Sequence, residues 1–476
     1  MFREVPARPD YAALEREVLR LWEETRVFER LREQTRGGPR WSFLDGPITA
    51  NGQMGAHHTW GRTYKDLYNR YHAMLGRELR WQQGFDCQGL WVEVNVEKEL
   101  GFTSKRQIEE YGVARFVERC KERVFHFADA ITEQSRRLGY WMDWDSSYYT
   151  LSDENNYSIW GFLKLCHERG WLYRGHDVMP WCPRCGSALS EHELADGYAD
   201  LTHLALTVAL PLPDRPGEAL LVWTTTPWTL PANVAAAVHP ELAYVRVAPQ
   251  QGARSYWLAK GALEARGAAL GAQAWRVLEE RRGAELVGWR YAGPFDELDA
   301  QRGVSHAVVP WADVGAGEGT GVVHIAPGAG KEDFALGREH GLPALAPLDE
   351  DGVFVAGYGR WSGRRAAEVA EDVAADLAAR GLLVARERYT HRYPTCWRCG
   401  SEVVFRLVDE WLIAMDRPGP DGRTYRQLML DAAPQAAWVP PFGLERELDW
   451  LRNMDDWMIS KKRYWGLALP FYPCAA

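Results

Sequence analysis

Two short cysteine motifs, far apart in the chain, constrain its fold more than any other feature. They read Cys182-Pro183-Arg184-Cys185-Gly186 and Cys396-Trp397-Arg398-Cys399-Gly400, with more than 200 residues between them. A C-x-x-C followed by glycine is typical of a zinc knuckle, and two knuckles supply the four thiolates of a closed structural site. We therefore predict one Zn²⁺ ion held by Cys182, Cys185, Cys396 and Cys399. Redox-active or idle thiols are the alternative, although a redox C-x-x-C is expected once, at a helix start.

A metal joining the two motifs would clamp the ends of the segment between them, which predicts an inserted domain. Its early part alternates like strands, at residues 204–208 and 219–223. We therefore expect a mainly-β insert from about 201 to 385.

A second informative stretch, residues 41–76, has the pattern of a strand, a loop and a helix. Trp41 and Phe43 alternate as in a short strand, breaker residues fill 46–55, and large apolar residues then recur at helical spacing up to Gly76. The N-terminus of such a helix favours an anion, because its N–H groups are unpaired. A nucleotide-phosphate site and an ordinary strand–turn–helix are equally good interpretations of this pattern alone.

This stretch resembles the first catalytic signature of the class I aminoacyl-tRNA synthetases of the isoleucyl/valyl/leucyl group, P-P-x-A-N-G-x-x-H-x-G-H with K-D-x-x-x-R-Y. The matching residues are Pro47, Ala50, Asn51, Gly52, Lys65, Asp66, Arg70, Tyr71, Met74 and Gly76. In Gly55-Ala56-His57-His58 the first and third positions of H-x-G-H are exchanged, so only His58 carries over directly. The resemblance implies an ATP site at Asn51, Gly55, His57 and His58, with both histidines acting on the phosphates in catalysis.

Residues 84–93 resemble G-W-D-C-H-G-L-P-x-E of the same group, in the form that isoleucyl enzymes carry. The resemblance implies that Asp86 holds the amino group of isoleucine, in a pocket shared with Gly46 and Pro47. A carboxylate facing an ammonium is suitable chemistry, and capping of a turn is the alternative role for Asp86. Gln88 and Trp91 depart from the family's His and Pro.

Residues 457–466 resemble W-x-I-S-R-x-R-Y-W-G, a form that also favours isoleucyl over valyl enzymes. The basic run 461–463 within it would either contact tRNA or lie at a solvated helix end. We keep both interpretations.

Two segments of the insert resemble the editing domain of the same group. Residues 223–233 match W-T-T-T-P-W-T-L-P-x-N, and residues 319–333 match G-T-G-x-V-H-x-A-P-x-x-G-x-x-D. Taken alone, threonines at a strand end are usually β-formers and a lone histidine is usually structural. By the resemblance, Asp333 would hold the α-amino group of a mischarged amino acid, and the pocket would be lined by Thr224, Thr225, Thr226, Thr229, Asn233 and His324. No Ser/Cys–His pair stands out, which favours attack by a positioned water.

These features predict an α/β chain. It would be the first half of a class I Rossmann-type catalytic domain, interrupted by an inserted, mainly-β editing domain with the four-cysteine zinc module at its base. The predicted ranges are a helical arm at 1–40, the first half of the catalytic domain at 41–150, a connective region with the first knuckle at 151–200, the editing domain at 201–385, the second knuckle with a return segment at 386–438, and re-entry to the catalytic domain at 439–476.

Composition excludes some classes of protein. The 476 residues carry a net charge of −9, which argues against a broadly basic nucleic-acid coat. The N-terminus does not have the pattern of a signal peptide, and no run approaches the ~18 to 20 apolar residues that span a membrane. We expect a cytoplasmic monomer without membrane association.

The resemblance implies ligation of isoleucine to tRNA(Ile), using ATP with Mg²⁺, and hydrolytic editing of Val-tRNA(Ile). Editing is needed because one methylene discriminates by only about 1–3 kcal/mol, a limit for which isoleucine against valine in this enzyme class is the standard illustration. The sequence lacks the family's K-M-S-K-S loop, the second half of the nucleotide fold and the anticodon-binding helices, so we expect that this chain alone does not form the adenylate. The alternatives are a stand-alone editing deacylase, a non-catalytic tRNA-binding paralogue, or valyl specificity.

Overall fold

The computed structural model describes residues 8–474 apart from 45, 196, 251–253, 268–274, 316 and 318. The chain divides into two compact units, one formed by Met1–Gly170 with Arg463–Ala476 and the other by Trp171–Lys462. The first seven residues of the predicted arm lie outside the described residues, and the six predicted domain ranges remain predictions. None of the helices in the described part of the chain is long and apolar enough to cross a membrane.

The first unit alternates short strands with helices, and its strands pair in parallel, as expected of an α/β domain. Strands β2, β4 and β5 form one sheet in that order, and β1 pairs with β3. In chain order the elements are α1 (Tyr11–Glu24), α2 (Val27–Thr35), β1 (Arg40–Trp41), β2 (Ile48–Thr49), α3 (Ala56–Met74), β3 (Glu78–Leu79), β4 (Gln82–Asp86), α4 (Leu90–Glu99), α5 (Arg106–Tyr111), α6 (Val113–Leu138), β5 (Asp143–Tyr149) and α7 (Asp153–Glu168). The predicted α/β class is confirmed.

The core of this unit lies where α4 and α6 pack beside β4. The buried members of that core include Phe85, Val92, Val96, Phe116, Val124, Ile131 and Trp465. Helix α6 contributes one apolar stripe along its 26 residues and exposes charged residues on its other face. The helix thereby supplies a rigid support for the loops at the ends of the strands.

The strand predicted from Trp41 and Phe43 is found only in part, since Phe43 lies outside it. Strand β1 ends at Trp41, and the strand that leads towards α3 is Ile48–Thr49, inside the predicted loop. The β-branched side chains of this short strand favour extended backbone, and its residues pair with Phe85 and Asp86 of β4.

Helix α3 forms as predicted, beginning at Ala56 and ending just before Gly76, whose φ is +73°. Its large apolar residues nevertheless face outward. More than half of the surface of each is exposed: Trp60, Tyr64, Leu67, Tyr68, Tyr71 and Met74. The buried side of the helix carries Arg62, Asn69 and Ala73 instead.

The second unit is rich in strands. Among its described residues there is a six-stranded sheet ordered β13–β11–β12–β9–β8–β16, a three-stranded sheet β14–β10–β15, and a four-stranded sheet β18–β17–β6–β7. The strands are β6 (Leu172–Cys182), β7 (Ser187–Ala188), β8 (Tyr198–Pro211), β9 (Glu218–Thr224), β10 (Ala235–Val238), β11 (Ala243–Ala248), β12 (Ser255–Ala259), β13 (Arg276–Arg282), β14 (Ala307–Pro310), β15 (Val323–Ile325), β16 (Leu383–Pro394), β17 (Val404–Ile413) and β18 (Trp457–Met458). The helices are α8 (Glu191–Ala195), α9 (Lys260–Arg266), α10 (Lys331–His340), α11 (Ala370–Ala379), α12 (Tyr425–Ala432) and α13 (Gly443–Asn453).

The strands that enter and leave the predicted insert are neighbours. Strands β6 and β17 pair antiparallel from Leu172↔Ile413 to Trp181↔Val404, and β8 pairs antiparallel with β16 over most of its length. This pairing brings the turn after β6 and the turn between β16 and β17 together. A mainly-β segment that leaves and returns at one place is therefore confirmed.

Candidate functional site

The four predicted cysteine ligands form one cluster. Their Sγ atoms all lie within 4.8 Å of one another, and the Sγ atoms of Cys182 and Cys399 are 3.5 Å apart. A tetrahedral Zn²⁺ ion with Zn–S bonds of about 2.3 Å places its sulfurs about 3.8 Å apart. The donor set therefore fits a tetrahedral metal.

The two knuckles have matching backbone turns. The N–H of Gly186 donates to the carbonyl of Cys182 at 2.9 Å, and the N–H of Gly400 donates to the carbonyl of Cys396 at 2.7 Å. Both glycines have positive φ, +55° and +74°, which favours glycine at the point where the chain must leave the turn. Each turn thereby directs two sulfurs to the same point.

Gly55 precedes the first turn of α3, and its N–H donates to Nδ1 of His58 at 3.0 Å. In the neutral ring the proton is then on Nε2, which is left to donate to an oxygen. Partial burial lowers the pKa of His58, and the neighbouring His57, Arg62 and Lys65 lower it further. The His57 ring lies 3.8 Å from that of His58, and a Cβ at position 55 would meet its Cε1 at 2.9 Å. The exchanged motif thus places two imidazoles at a helix N-terminus.

Asp86 lies at the end of β4, directly beside Thr49 of β2. The Thr49 hydroxyl donates to Oδ2 of Asp86 at 2.7 Å, so the carboxylate is held at the ends of two parallel strands. Gly46 and Pro47 immediately precede β2. The residues predicted to bind the amino acid therefore lie in, or directly before, neighbouring strands of one sheet.

Trp465 joins this group, although sequence reasoning used its motif only to choose between family members. Its indole N–H donates to the carbonyl of Cys87 at 2.8 Å, and its backbone N–H donates to Glu93 at 2.8 Å. The side chain is 5% exposed. The R-Y-W-G match was the signal that could have placed Trp465 against the residue after Asp86.

Gln88 and Trp91, where the sequence departs from the family's His and Pro, have different environments. Gln88 donates to the carbonyl of Thr150 at 2.6 Å, and the N–H of Cys87 donates to the hydroxyl of the same threonine at 2.8 Å. Trp91 is 41% exposed. The glutamine thus ties the end of β4 to the residue after β5.

The predicted editing residues Thr224, Thr226, Thr229 and His324 form one continuous group. The hydroxyls of Thr224 and Thr226 are 3.2 Å apart, and Thr229 donates its hydroxyl proton to the carbonyl of Thr226 at 2.9 Å. Since Thr229 has one hydroxyl proton, its oxygen accepts from Nε2–H of His324 at 3.0 Å. Burial lowers the pKa of His324 to about 4, so the ring is neutral at physiological pH.

Asn233 and Thr225 stand apart from that group. Asn233 is fully buried; its amide donates to the carbonyls of Ala235 and Ile325, and its oxygen accepts from the hydroxyl of Tyr291 at 2.7 Å. It holds the turn Pro227–Ala232 to the start of β10. Thr225 lines a cavity of about 460 Å³, which Thr226 of that group also lines.

Asp333 lies in the first turn of α10, close to the end of β15. Its Oδ2 accepts the N–H of Ala326 at 2.8 Å, two residues beyond His324. Burial raises the pKa of Asp333 to about 6. The carboxylate is therefore ionised at neutral pH and suited to an ammonium ligand.

Comparison with known proteins places the chain in a family. Residues 17–475 match the model for tRNA synthetases class I (I, L, M and V). The chain is 41% identical over 478 residues to the isoleucine–tRNA ligase of Thermobifida fusca, covering 99% of this chain and 44% of the relative. Identity is 39% to that of Thermus thermophilus (100% of this chain, 44% of the relative) and 37% to that of Archaeoglobus fulgidus (99% and 45%). The chain thus spans less than half the length of these relatives.

Proposed function

Because the chain belongs to the class I tRNA synthetases of the isoleucine, leucine, methionine and valine group, we propose that it supplies the nucleotide, amino-acid and editing sites of an isoleucine–tRNA ligase. The observation that carries the proposal is the placement of Asp86 beside β2, with the indole of Trp465 bonded to the next residue. This arrangement offers an anion for an ammonium at the ends of two parallel strands. The match to isoleucine–tRNA ligases along the whole chain supports the choice of amino acid.

The proposed first reaction joins isoleucine to ATP. The carboxylate of isoleucine attacks the α-phosphorus in line, forming isoleucyl-adenylate and releasing pyrophosphate with its Mg²⁺. Asp86 would hold the amino group, and Nε2–H of His58 would donate to a phosphate oxygen at the N-terminus of α3, with His57 beside it. Positioning and electrostatic stabilisation would therefore provide most of the catalysis.

The proposed second activity is hydrolysis of Val-tRNA(Ile). Asp333 would bind the α-ammonium of the ester, and the threonine group with His324 would bind the hydroxyl-rich end of the tRNA. His324 is held neutral, so it serves there as a hydrogen-bonding group. A positioned water would then attack the ester carbonyl.

The proposal includes a structural zinc ion at Cys182, Cys185, Cys396 and Cys399, which the spacing of the sulfurs supports. When bound, the ion would cross-link the two knuckles. tRNA(Ile) as partner, a monomeric state and a cytoplasmic location also belong to the proposal.

Binding of isoleucyl-sulfamoyl-adenosine, a stable analogue of the adenylate, tests the first site. We expect the chain to bind this analogue at least tenfold more tightly than the valyl or leucyl analogue, and Asp86→Asn to remove most of that affinity. Asp145→Asn, on an exposed residue of β5, is the matched control and is expected to bind normally. Equal affinity for all three analogues would refute the isoleucine specificity.

A stand-alone editing deacylase is the second candidate, favoured because all the predicted editing residues lie in the second unit. Deacylation of Val-tRNA(Ile) and Ile-tRNA(Ile) tests it. We expect selective hydrolysis of the valyl ester, lost in Asp333→Ala and kept in Glu332→Gln, a change of the neighbouring exposed carboxylate. Hydrolysis without any binding of the adenylate analogue would favour the deacylase over the ligase.

A further inference from the structure

Asn51 is held entirely by protein contacts, although it lies in the loop assigned to ATP. It is 6% exposed, and its amide N–H donates to the carbonyl of Trp91 at 3.3 Å. Its side-chain oxygen accepts from Nε of Arg123 at 2.6 Å, and its backbone oxygen accepts from Nη2 of Arg123 at 2.8 Å. Asn51 is therefore a fixed point of the loop, and Arg123 is the group that fixes it.

Arg123 lies on α6, a helix in which no sequence motif was identified. Its third donor, Nη1, pairs with Glu99 at the end of α4, and its guanidinium lies 4.7 Å from the ring of Phe127. The side chain is 15% exposed, so its hydrogen bonds form largely out of water. Only the planar fork of arginine can serve three acceptors in this way, since the donors of lysine share a single nitrogen.

The far end of the same loop is also attached to α6. The N–H of Met54 donates to the side-chain oxygen of Gln134 at 2.8 Å. Residues 123 and 134 are about 16 Å apart along the helix at 1.5 Å per residue. The loop between β2 and α3 therefore lies along α6 and is attached at both ends.

We propose that Arg123 is the positioning residue of the nucleotide site. By holding Asn51 it fixes the loop that presents the N-terminus of α3 to the phosphates. Through Glu99 and the carbonyl of Trp91 it also links that loop to α4, the helix that follows Asp86. The assignment of ATP as the ligand rests on the proposed function; the positioning of the loop does not.

The first test needs no ligand. Hydrogen exchange of the amides of residues 50–55 is measured in the 476-residue chain and in Arg123→Gln. We expect exchange in this segment to become at least tenfold faster in the variant. Arg136→Gln is the matched control. Arg136 lies on the same helix, and its described salt bridge is to the exposed Glu133. Unchanged exchange at 50–55 in a folded Arg123→Gln chain would overturn the proposal.

The second test uses Mg-ATP and a double-mutant cycle. We expect Arg123→Gln and Asn51→Ala each to weaken ATP binding at least tenfold. The double variant should bind ATP no more weakly than the worse single variant, since both changes break the same contact. A purely stabilising role would lower the unfolding temperature without this non-additivity, so multiplied losses would overturn positioning through Asn51. Arg123→Lys, which keeps the charge, is a second variant in case Arg123→Gln folds poorly. We expect the logarithm of the affinity lost in Arg123→Lys to be more than half of that lost in Arg123→Gln. If the unaltered chain does not bind ATP, the proposed function fails, while hydrogen exchange still decides whether Arg123 positions the loop.

Discussion

At the scale of single residues, the hydrogen bond made by the buried ring of His324 depends on one hydroxyl. Thr229 accepts its Nε2–H at 3.0 Å in a buried environment, where an unpaired donor costs about 1–3 kcal/mol. We therefore expect Thr229→Val to lower the free energy of unfolding by that amount, measured by urea denaturation. Thr229→Ser keeps the hydroxyl and is the control, with a smaller loss from the missing methyl group. Equal losses in the two variants would contradict the assigned hydrogen bond.

Asp333 gives a prediction about pH. Its folded pKa of about 6 lies above the ordinary value of 3.8, so the folded chain binds this proton more tightly than the unfolded chain. The resulting stabilisation is present below about pH 4 and is lost as the pH rises through 6. Asp333→Asn, which stays neutral, is therefore expected to raise the unfolding temperature at pH 8 and to leave it nearly unchanged at pH 4. A destabilised variant at pH 8 would contradict this account.

The same carboxylate sets the expected pH dependence of ligand binding. An ammonium ligand needs the ionised form, so affinity for a stable valyl-adenosine amide should fall about tenfold for each pH unit below 6. Titration calorimetry between pH 5 and pH 8 measures this, with Glu332→Gln as the control that keeps the dependence. An affinity that does not change with pH would show that Asp333 does not hold the ammonium.

Motif residues could be found from the sequence, whereas the residues that hold them could not. Asp86, His324 and the four cysteines occur in short, characteristic patterns. Trp465 and Cys87 are 378 positions apart in the chain, and Arg123 and Asn51 are 72 apart. An arginine in a charged helix has the same local pattern whether it is solvated or holds a loop, so only the fold distinguishes the two roles.

At the scale of elements, α3 shows what periodicity can and cannot establish. The spacing of its apolar residues correctly predicted a helix that ends before Gly76. It did not predict which face is buried, because the buried face is polar: the Arg62 guanidinium donates to Gln83 of β4 at 3.0 Å. Such a pair leaves no hydrophobic pattern in the sequence.

The exposed apolar face of α3 leads to a prediction about stability. Leu67 and Tyr68 are 61% and 59% exposed, so changing both to Glu removes little buried area. We expect the unfolding temperature to change by no more than about 2 °C, since surface substitutions usually alter stability by less than about 0.5 kcal/mol. Binding of a hydrophobic dye should decrease. Ala73→Glu, on the buried side of the same helix, is the contrasting variant and is expected to destabilise strongly, since it would bury a charge.

At the scale of the whole molecule, the two cysteine motifs predicted an inserted segment. Their spacing implied a segment that leaves and returns at one place, and the pairing of β6 with β17 shows this arrangement. The chain leaves the first unit at Gly170 and the second at Lys462, and both residues lie in ordinary sequence without a breaker cluster. They follow from which side chains pack together, and no local pattern specifies that.

Removal of the metal tests this architecture directly. A cross-link that closes a loop of about 200 residues lowers the entropy of the unfolded chain by an amount on the order of 5 kcal/mol. We therefore expect two unfolding transitions in calorimetry. When a zinc chelator is added, only the transition of the unit Trp171–Lys462 should move to a lower temperature, by roughly 5–10 °C. Cys399→Ser should lose the metal and reproduce that shift without chelator, whereas Cys474→Ser, which changes an exposed cysteine outside that unit, should do neither. The cross-link would be refuted if the chain contained no metal after purification with zinc, or if neither transition temperature changed on addition of the chelator.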